Sequence, residues 1–293
     1  MDRLTVAILG AGRVGQAVGA LLREAGYSVT AVTARTLQAA QAAALATGGT
    51  AYTDNTAAAR AAQLVLVTVP DDVIESAVAD IAADGGFAAG QVVAHTSGAH
   101  GLGVLAPAAE AGAAIGAIHP MQSFATATRA TQDLPGSIFG FTADDDAREV
   151  LLAVVESLGG HAVDVADEVR PLYHAAAVMA SNGFVAVEDM ATNLLVSAGF
   201  DERAARRALV PLVAGTTINI RRFGPKEALT GPVSRGDFDT VRAHLEALQS
   251  APESHRQAYL ALNAHAADMA EEVGMISHET ATELRAVLGG DEV

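Results

Sequence analysis

Gly10-Ala11-Gly12-Arg13-Val14-Gly15 follows directly on the apolar run Leu4 to Leu9 and opens an apolar-periodic segment. A strand, a glycine turn and a helix in that order make a cradle for a pyrophosphate. Gly10 permits the tight turn, Gly12 lets the backbone approach the phosphates, Gly15 allows close packing of helix on strand, and the phosphates sit on the helix N-terminus. Ala11, Arg13 and Val14 complete the contact set, and the alternative is a purely structural glycine turn. An NAD site ends its second strand in an acid roughly 20 residues further on, which bonds the ribose 2′-hydroxyl. Here the strand from Tyr27 to Val32 runs instead into Thr33-Ala34-Arg35-Thr36. Two hydroxyls and a planar guanidinium suit a 2′-phosphate, so Thr33, Arg35 and Thr36 favour NADP(H) over NAD. The alternative leaves Arg35 as a solvated charge before the next helix.

Other reactive side chains gather where strand-like runs end. In a doubly wound sheet the ligand lies beyond those carboxyl ends. Thr68-Val69-Pro70-Asp71 closes one run, placing Val69 and Pro70 beside the path of the cofactor's nicotinamide half. His95-Thr96-Ser97-Gly98-Ala99 closes another, and its Ser97 is a candidate substrate contact. His119-Pro120-Met121-Gln122-Ser123-Phe124 closes a third. For His95 and His119 the competing role is capping or packing at a strand end. Further on, His174, Ser181 and Asn182 stand at i, i+7 and i+8 of a helix-like stretch that is otherwise uncharged. On a regular helix these three share one quadrant, half-buried and in need of partners. A substrate could supply those partners, as could a polar cluster at a domain interface.

The elements that must hold these groups follow from periodicity. Strand-like runs alternate with helical ones as far as His161-Ala162-Val163-Asp164-Val165, the signature of βαβ units and a largely parallel sheet. Beyond Asp167 only helical periodicity remains: a long helix from Arg170 to Ala198, then stretches near Glu202–Arg222, Phe238–Gln249, Glu253–Val273 and His278–Leu288. The expected organisation is α/β, a doubly wound Rossmann domain over 1–166 and an all-helical domain for substrate and dimerisation over 167–293. The length of 293 residues agrees with two domains. Alanine abundance thins the helical core, which points to burial completed in a homodimer. A net charge of -16 argues against nucleic acid or anionic membrane as a partner. No run is long and apolar enough for a membrane span and no signal-peptide pattern opens the chain, so a cytoplasmic location is expected. The sequence has no cysteine, which excludes disulfides, thiolate nucleophiles and cysteine metal sites, and the scattered histidines form no recognised ligand set.

With a glycine-turn domain followed by an all-helical domain, the whole chain resembles the 6-phosphogluconate dehydrogenase-like superfamily. The segment His119 to Phe124, Tyr173-His174-Ala175-Ala176 with Ser181-Asn182, and Leu229-Thr230-Gly231-Pro232 with Arg235-Gly236-Asp237 are similar to an uncharacterised branch of it. That branch joins a Rossmann-like domain to a C-terminal domain of unknown function, and ketopantoate reductase is a better-understood relative. The resemblance implies hydride exchange between a nicotinamide and a carbonyl-alcohol pair, with a lysine on the long helix protonating the oxygen. Lys226 is the sole lysine here and lies elsewhere, while His174 and Asn182 match the family's Lys and Asn in spacing. The implied acid is therefore His174 with Asn182 orienting the oxygen. His119 is its rival, since prephenate dehydrogenase-like enzymes carry a similar His-Pro-Met motif.

A keto acid also needs an anion site. Thr230 offers a hydroxyl and Arg235 a bidentate carboxylate clamp, whereas Asp237 reads as the N-cap of the next helix. These readings lead to NADPH-dependent reduction of a small 2-keto acid, with ketopantoate as the first substrate to test. An imine, hydroxy acid or prephenate-like substrate, a flavin or deazaflavin carrier, and a non-catalytic NADP sensor stay open.

Overall fold

The computed structural model describes residues 3–289. It comprises two compact units that divide between Ser181 and Asn182.

The first unit is built on β1 (Thr5–Leu9), α1 (Arg13–Glu24), β2 (Ser28–Thr33), α2 (Leu37–Thr47), β3 (Thr50–Tyr52), α3 (Asn55–Arg60), β4 (Leu64–Val67), α4 (Ile74–Ala83), β5 (Val92–His95), α5 (Ala106–Glu110), β6 (Ala114–Pro120), α6 (Ala127–Asp133), β7 (Ile138–Ala143), α7 (Asp145–Ser157), β8 (His161–Asp164) and α8 (Arg170–Val178). All eight strands form one sheet in the order β3-β2-β1-β4-β5-β6-β7-β8, the doubly wound arrangement expected of a Rossmann domain. Every neighbouring pair is parallel except β6–β7, which is antiparallel. The order reverses between β1 and β4, so a crevice opens beyond their carboxyl ends.

Alternation along each central strand feeds two cores. Val6 and Ile8 face one side, with Val18 and Leu22 of α1 and Leu151 and Val154 of α7. Ala7 and Leu9 face the other, with Ile74, Val78 and Ile81 of α4. Helices on both faces explain why β1 and β4 read as continuous apolar runs. Each such Ile or Leu contributes about 1.5–3 kcal/mol by burial, so the central strands and the turns that follow them are rigid supports.

The second unit continues with α9 (Phe184–Ser197), α10 (Glu202–Phe223), α11 (Phe238–Ala247), α12 (Glu253–Glu272) and α13 (His278–Gly289). Its core is small, centred on Val233, Val241, Ala267, Leu284 and Leu288.

The helix expected to run unbroken from Arg170 to Ala198 is interrupted. A π-helical turn over Met179–Gly183 separates α8 from α9, and Ser181 and Asn182 lie within it. Ser, Asn and Gly compete with or weaken the regular helical backbone, which accounts for the wider turn at this place. The quadrant shared by His174, Ser181 and Asn182 assumed a regular period throughout, so that phase relation does not carry across the turn. Two short helices, α3 and α6, and the three-residue strand β3 add to the elements set out from the sequence.

Candidate functional site

The glycine turn is locked on three sides. Gly10 has φ +92°, and a Cβ there would lie 2.7 Å from Val69 Cγ1, so neither conformation nor space admits a side chain. Its N–H donates to Thr33 Oγ1 at 3.0 Å, the Ala11 N–H donates to the Thr33 carbonyl at 2.7 Å, and the Thr68 hydroxyl donates to the Gly10 carbonyl at 2.8 Å. The ends of β2 and β4 thus fix the loop after β1. Gly15 brings α1 hard against the same threonine, since a Cβ there would sit 2.4 Å from Thr68 Oγ1. Above Gly12 the space is open: a Cβ would meet nothing within 4 Å, and Gly12 begins α1 with no side-chain cap. The first-turn amides of Arg13, Val14 and Gly15 therefore face that opening at the positive end of the helix dipole, with no acid beside them.

Around this rim, Arg35 is exposed and forms no ion pair among the described residues. Thr36 caps α2 by accepting the Ala39 N–H at 3.2 Å, whereas Thr33 is buried with its hydroxyl committed to Gly10. The Arg13 guanidinium donates to the Phe124 carbonyl at 3.2 Å, tying the loop after β6 to the glycine turn. Pro70 is exposed and leads into the single helical turn Asp71–Val73.

A second constellation lies in the same unit, where β5, β6 and β7 meet α8. Nδ1 of His119, on β6, is 2.9 Å from the Tyr173 hydroxyl of α8. The His174 ring stands edge-on to His119, with centroids 5.7 Å apart and planes at 88°. Two glycines make room for this packing. A Cβ on Gly98 would fall 2.6 Å from His174 Cδ2 and 2.9 Å from His119 Nε2, and one on Gly140 would fall 2.4 Å from the Tyr173 hydroxyl oxygen. Among the described residues neither ring nitrogen of His174 has a hydrogen-bond partner, nor has Nε2 of His119. Burial lowers the His119 pKa to about 4, aided by His174 and Arg170 and opposed by Asp71. The ring is accordingly neutral at physiological pH.

Arg170 supports the cluster from behind. Its guanidinium is fully buried and donates to Thr142 Oγ1 at 2.9 Å, to the Ser97 carbonyl at 3.1 Å and to the carbonyls of Ala117 and Gly140 at 3.3 Å. One side chain thereby pins the start of α8 to the end of β5, to β6 and to β7. Every acceptor is neutral, so the charge is dispersed over oriented dipoles. Burial holds its pKa below the ordinary arginine value.

The other strand-end residues have internal work. His95 is fully buried, with Nε2 3.1 Å from the Gly101 carbonyl and Nδ1 accepting the Ser97 N–H at 3.2 Å. That pattern gives the neutral Nε2–H tautomer. Burial lowers its pKa to about 4 against the bond to Gly101. Ser97, read from the sequence as a substrate contact, is also buried: its hydroxyl donates to Asp71 Oδ2 at 2.8 Å and accepts the N–H groups of Ala99 and His100 at 3.2 Å. It shapes the turn and fixes Asp71.

In the second unit, Asn182 is exposed, as are Thr230, beside the left-handed Gly231 (φ +101°), and Arg235, which has no ion pair among the described residues. Lys226 pairs with Glu272. Asp237 caps α11 through the Thr240 N–H, as the sequence indicates. Sequence reasoning gave no role to Arg170, Gly98 or Gly140, and Tyr173 entered it only as part of the motif around His174. The available signal was slight: one arginine opening an apolar helix, followed by a tyrosine next to the chosen histidine.

Residues 1–120 match the model of a Rossmann-like domain, and residues 137–266 match that of a domain of unknown function, DUF2520. No curated protein sequence matches the chain. Among solved structures, a Thermotoga maritima protein is 23% identical with a TM-score of 0.70, the match covering 92% of this chain and 98% of that one. An imine reductase of Pseudomonas is 20% identical with a TM-score of 0.63, over 98% of this chain and 100% of its own. A Plasmodium falciparum pyrroline carboxylate reductase with NADP bound is 12% identical with a TM-score of 0.58, over 99% of this chain and 100% of its own. At these identities the likeness establishes a shared fold.

Proposed function

We propose that this chain is an NADPH-dependent reductase of a small substrate with a carbonyl bond, in the manner of ketopantoate reductase. The observation that carries the reading is the pair of unpartnered imidazole edges, His119 and His174, at the carboxyl end of the sheet that also bears the uncapped glycine turn. The residues fit a dinucleotide: the opening over Gly12, the free first-turn amides of Arg13, Val14 and Gly15, and the unpaired Arg35 in place of the acid that an NAD site carries. The structural neighbours that bind NADP or reduce C=N bonds support the same class. A dihydronicotinamide held there supplies the hydride. The chain's own part is to orient the carbonyl and deliver a proton to its oxygen, with His119 and His174 as the donor pair.

Within this class a small 2-keto acid is the first substrate, and ketopantoate the specific one to test. A second reading, reduction of a C=N bond, draws on Asp71. This exposed carboxylate is held by Ser97 and lies close enough to raise the His119 pKa, a setting that suits a cationic iminium better than a carboxylate. The deciding assay follows NADPH oxidation by the purified chain with ketopantoate, pyruvate, 2-ketoisovalerate and 1-pyrroline, beside a direct NADPH titration. Turnover of a keto acid supports the first reading, and turnover of 1-pyrroline alone supports the second. Tight NADPH binding without any turnover supports a sensor, and absence of NADPH binding overturns the proposal.

We also propose that the working form is a homodimer. Its support is the apolar surface of α9 and α10, where Val185, Val187, Val210, Leu212 and Ile218 are all exposed.

A further inference from the structure

The reductase reading leaves a chemical gap, because a histidine neutral down to about pH 4 has no surplus proton to give at physiological pH. Loss of Nε2–H from a neutral ring creates an imidazolate unless Nδ1 gains a proton in the same event. The hydroxyl 2.9 Å from Nδ1 belongs to Tyr173, whose ring stands edge-on to His119 with centroids 5.6 Å apart. The same oxygen lies against Gly140, the residue whose missing Cβ makes room for it.

Resting on the reductase reading, we propose that Tyr173 fixes the tautomer of His119 by donating to Nδ1, and that it replaces the proton that His119 passes from Nε2 to the substrate. The balance is complete. The hydride pair from the dihydronicotinamide forms the new C–H bond and the Nε2 proton forms the new O–H or N–H bond. The N–H electrons stay on the ring as the Tyr173 proton moves to Nδ1, and the product leaves with a phenolate behind it. The Nδ1 proton then returns to the Tyr173 phenolate as solvent reprotonates Nε2, which restores the starting tautomer. Arg170, one turn earlier on α8, attracts that phenolate. Burial outweighs that attraction and raises the Tyr173 pKa, which keeps the hydroxyl protonated until it is called on. A phenol is a fitting reservoir, being far more acidic than the alcohol formed.

His119 is bordered by Tyr173 and His174 from α8, by the charge of Arg170, by Asp71 after β4 and by His95 on β5. Because Tyr173 acts through His119, it is a positioning residue, and its test must read the ring itself. NMR of the imidazole nitrogens in the full-length chain, assigned with His119→Gln, reports the tautomer without cofactor or substrate. We expect wild-type His119 to carry its proton on Nε2 with Nδ1 as acceptor, and Tyr173→Phe to yield a mixture of tautomers. A wild-type ring protonated on Nδ1, or a tautomer unmoved by Tyr173→Phe, overturns the proposal even if the enzyme turns over. With a working substrate, Tyr173→Phe should lower kcat by roughly 10²-fold at unchanged KM. An unchanged kcat in that variant would likewise overturn it. If no substrate is reduced, the reductase reading fails while the NMR result still decides the tautomer.

Discussion

At the scale of single residues, the site rests on imidazoles that are kept neutral. His119→Ala is expected to lower kcat by about 10²–10⁴-fold, with NADPH affinity unchanged because the glycine turn is untouched. Parallel kinetics and NADPH titration check this, and a loss of NADPH binding would show that His119 serves the cofactor instead. His95 makes a prediction about stability. Its folded pKa of about 4 lies below the unfolded value of 6.5, so between these values the unfolded state binds more protons. Stability should therefore be full above about pH 6.5 and fall as the pH drops towards 4, by roughly 3 kcal/mol at most for this fully buried ring. Urea denaturation across that range, with His95→Gln as the comparison, measures it; an equally steep pH dependence in the variant would assign the effect elsewhere. His119 was legible in the sequence because a polar ring ends an apolar strand run. Tyr173 was not, because its link to His119 spans 54 residues and exists only once α8 docks on the sheet.

Among the elements, α8 depends on one side chain to reach the sheet. Arg170→Lys keeps the charge but removes the planar fork that meets Ser97, Ala117, Gly140 and Thr142 together. Several buried carbonyls then lose their donors, and the expected cost is about 2–4 kcal/mol in urea denaturation. The His119–Tyr173 geometry should loosen in the same variant. A cost below about 0.5 kcal/mol would mean that water or Lys replaces the network and that Arg170 does not hold the site. The elements also show where periodicity stops informing. Burial on both faces made β1 and β4 plain as runs of Val, Leu and Ile, and the caps Asp144 and Asp201 mark true helix starts. Strand direction left no trace, since β7 carries the same apolar pattern whether it runs with β6 or against it. The π-helical turn was equally hidden, because its extra width comes from backbone hydrogen bonding that a Ser-Asn-Gly run permits without requiring.

For the whole molecule, the decisive feature is where apolar surface remains uncovered. No residue of α9 is buried, and in α10 only Ala205 is. Yet Val185, Val210, Leu212 and Ile218 are each more than half exposed, Val185 at 66% and Leu212 at 64%. Helices of this length that bury so little cannot draw stability from the small core around Val241 and Leu284. Among the described residues no helix is long and apolar enough to cross a membrane. The proposed homodimer would cover the apolar surface, since α9 and α10 lie against each other and both carry exposed apolar side chains on a chain whose net charge is -16. Sedimentation should therefore find a dimer at micromolar concentration. Val210→Glu combined with Ile218→Glu should weaken it by about 100-fold or more, roughly 3 kcal/mol, because two carboxylates must then be dried at the interface. The sheet unit lies outside that change, so NADPH binding should survive in the monomer even if turnover falls. A wild-type chain that sediments as a monomer would remove the dimer and leave the exposed face of α10 to a different macromolecule.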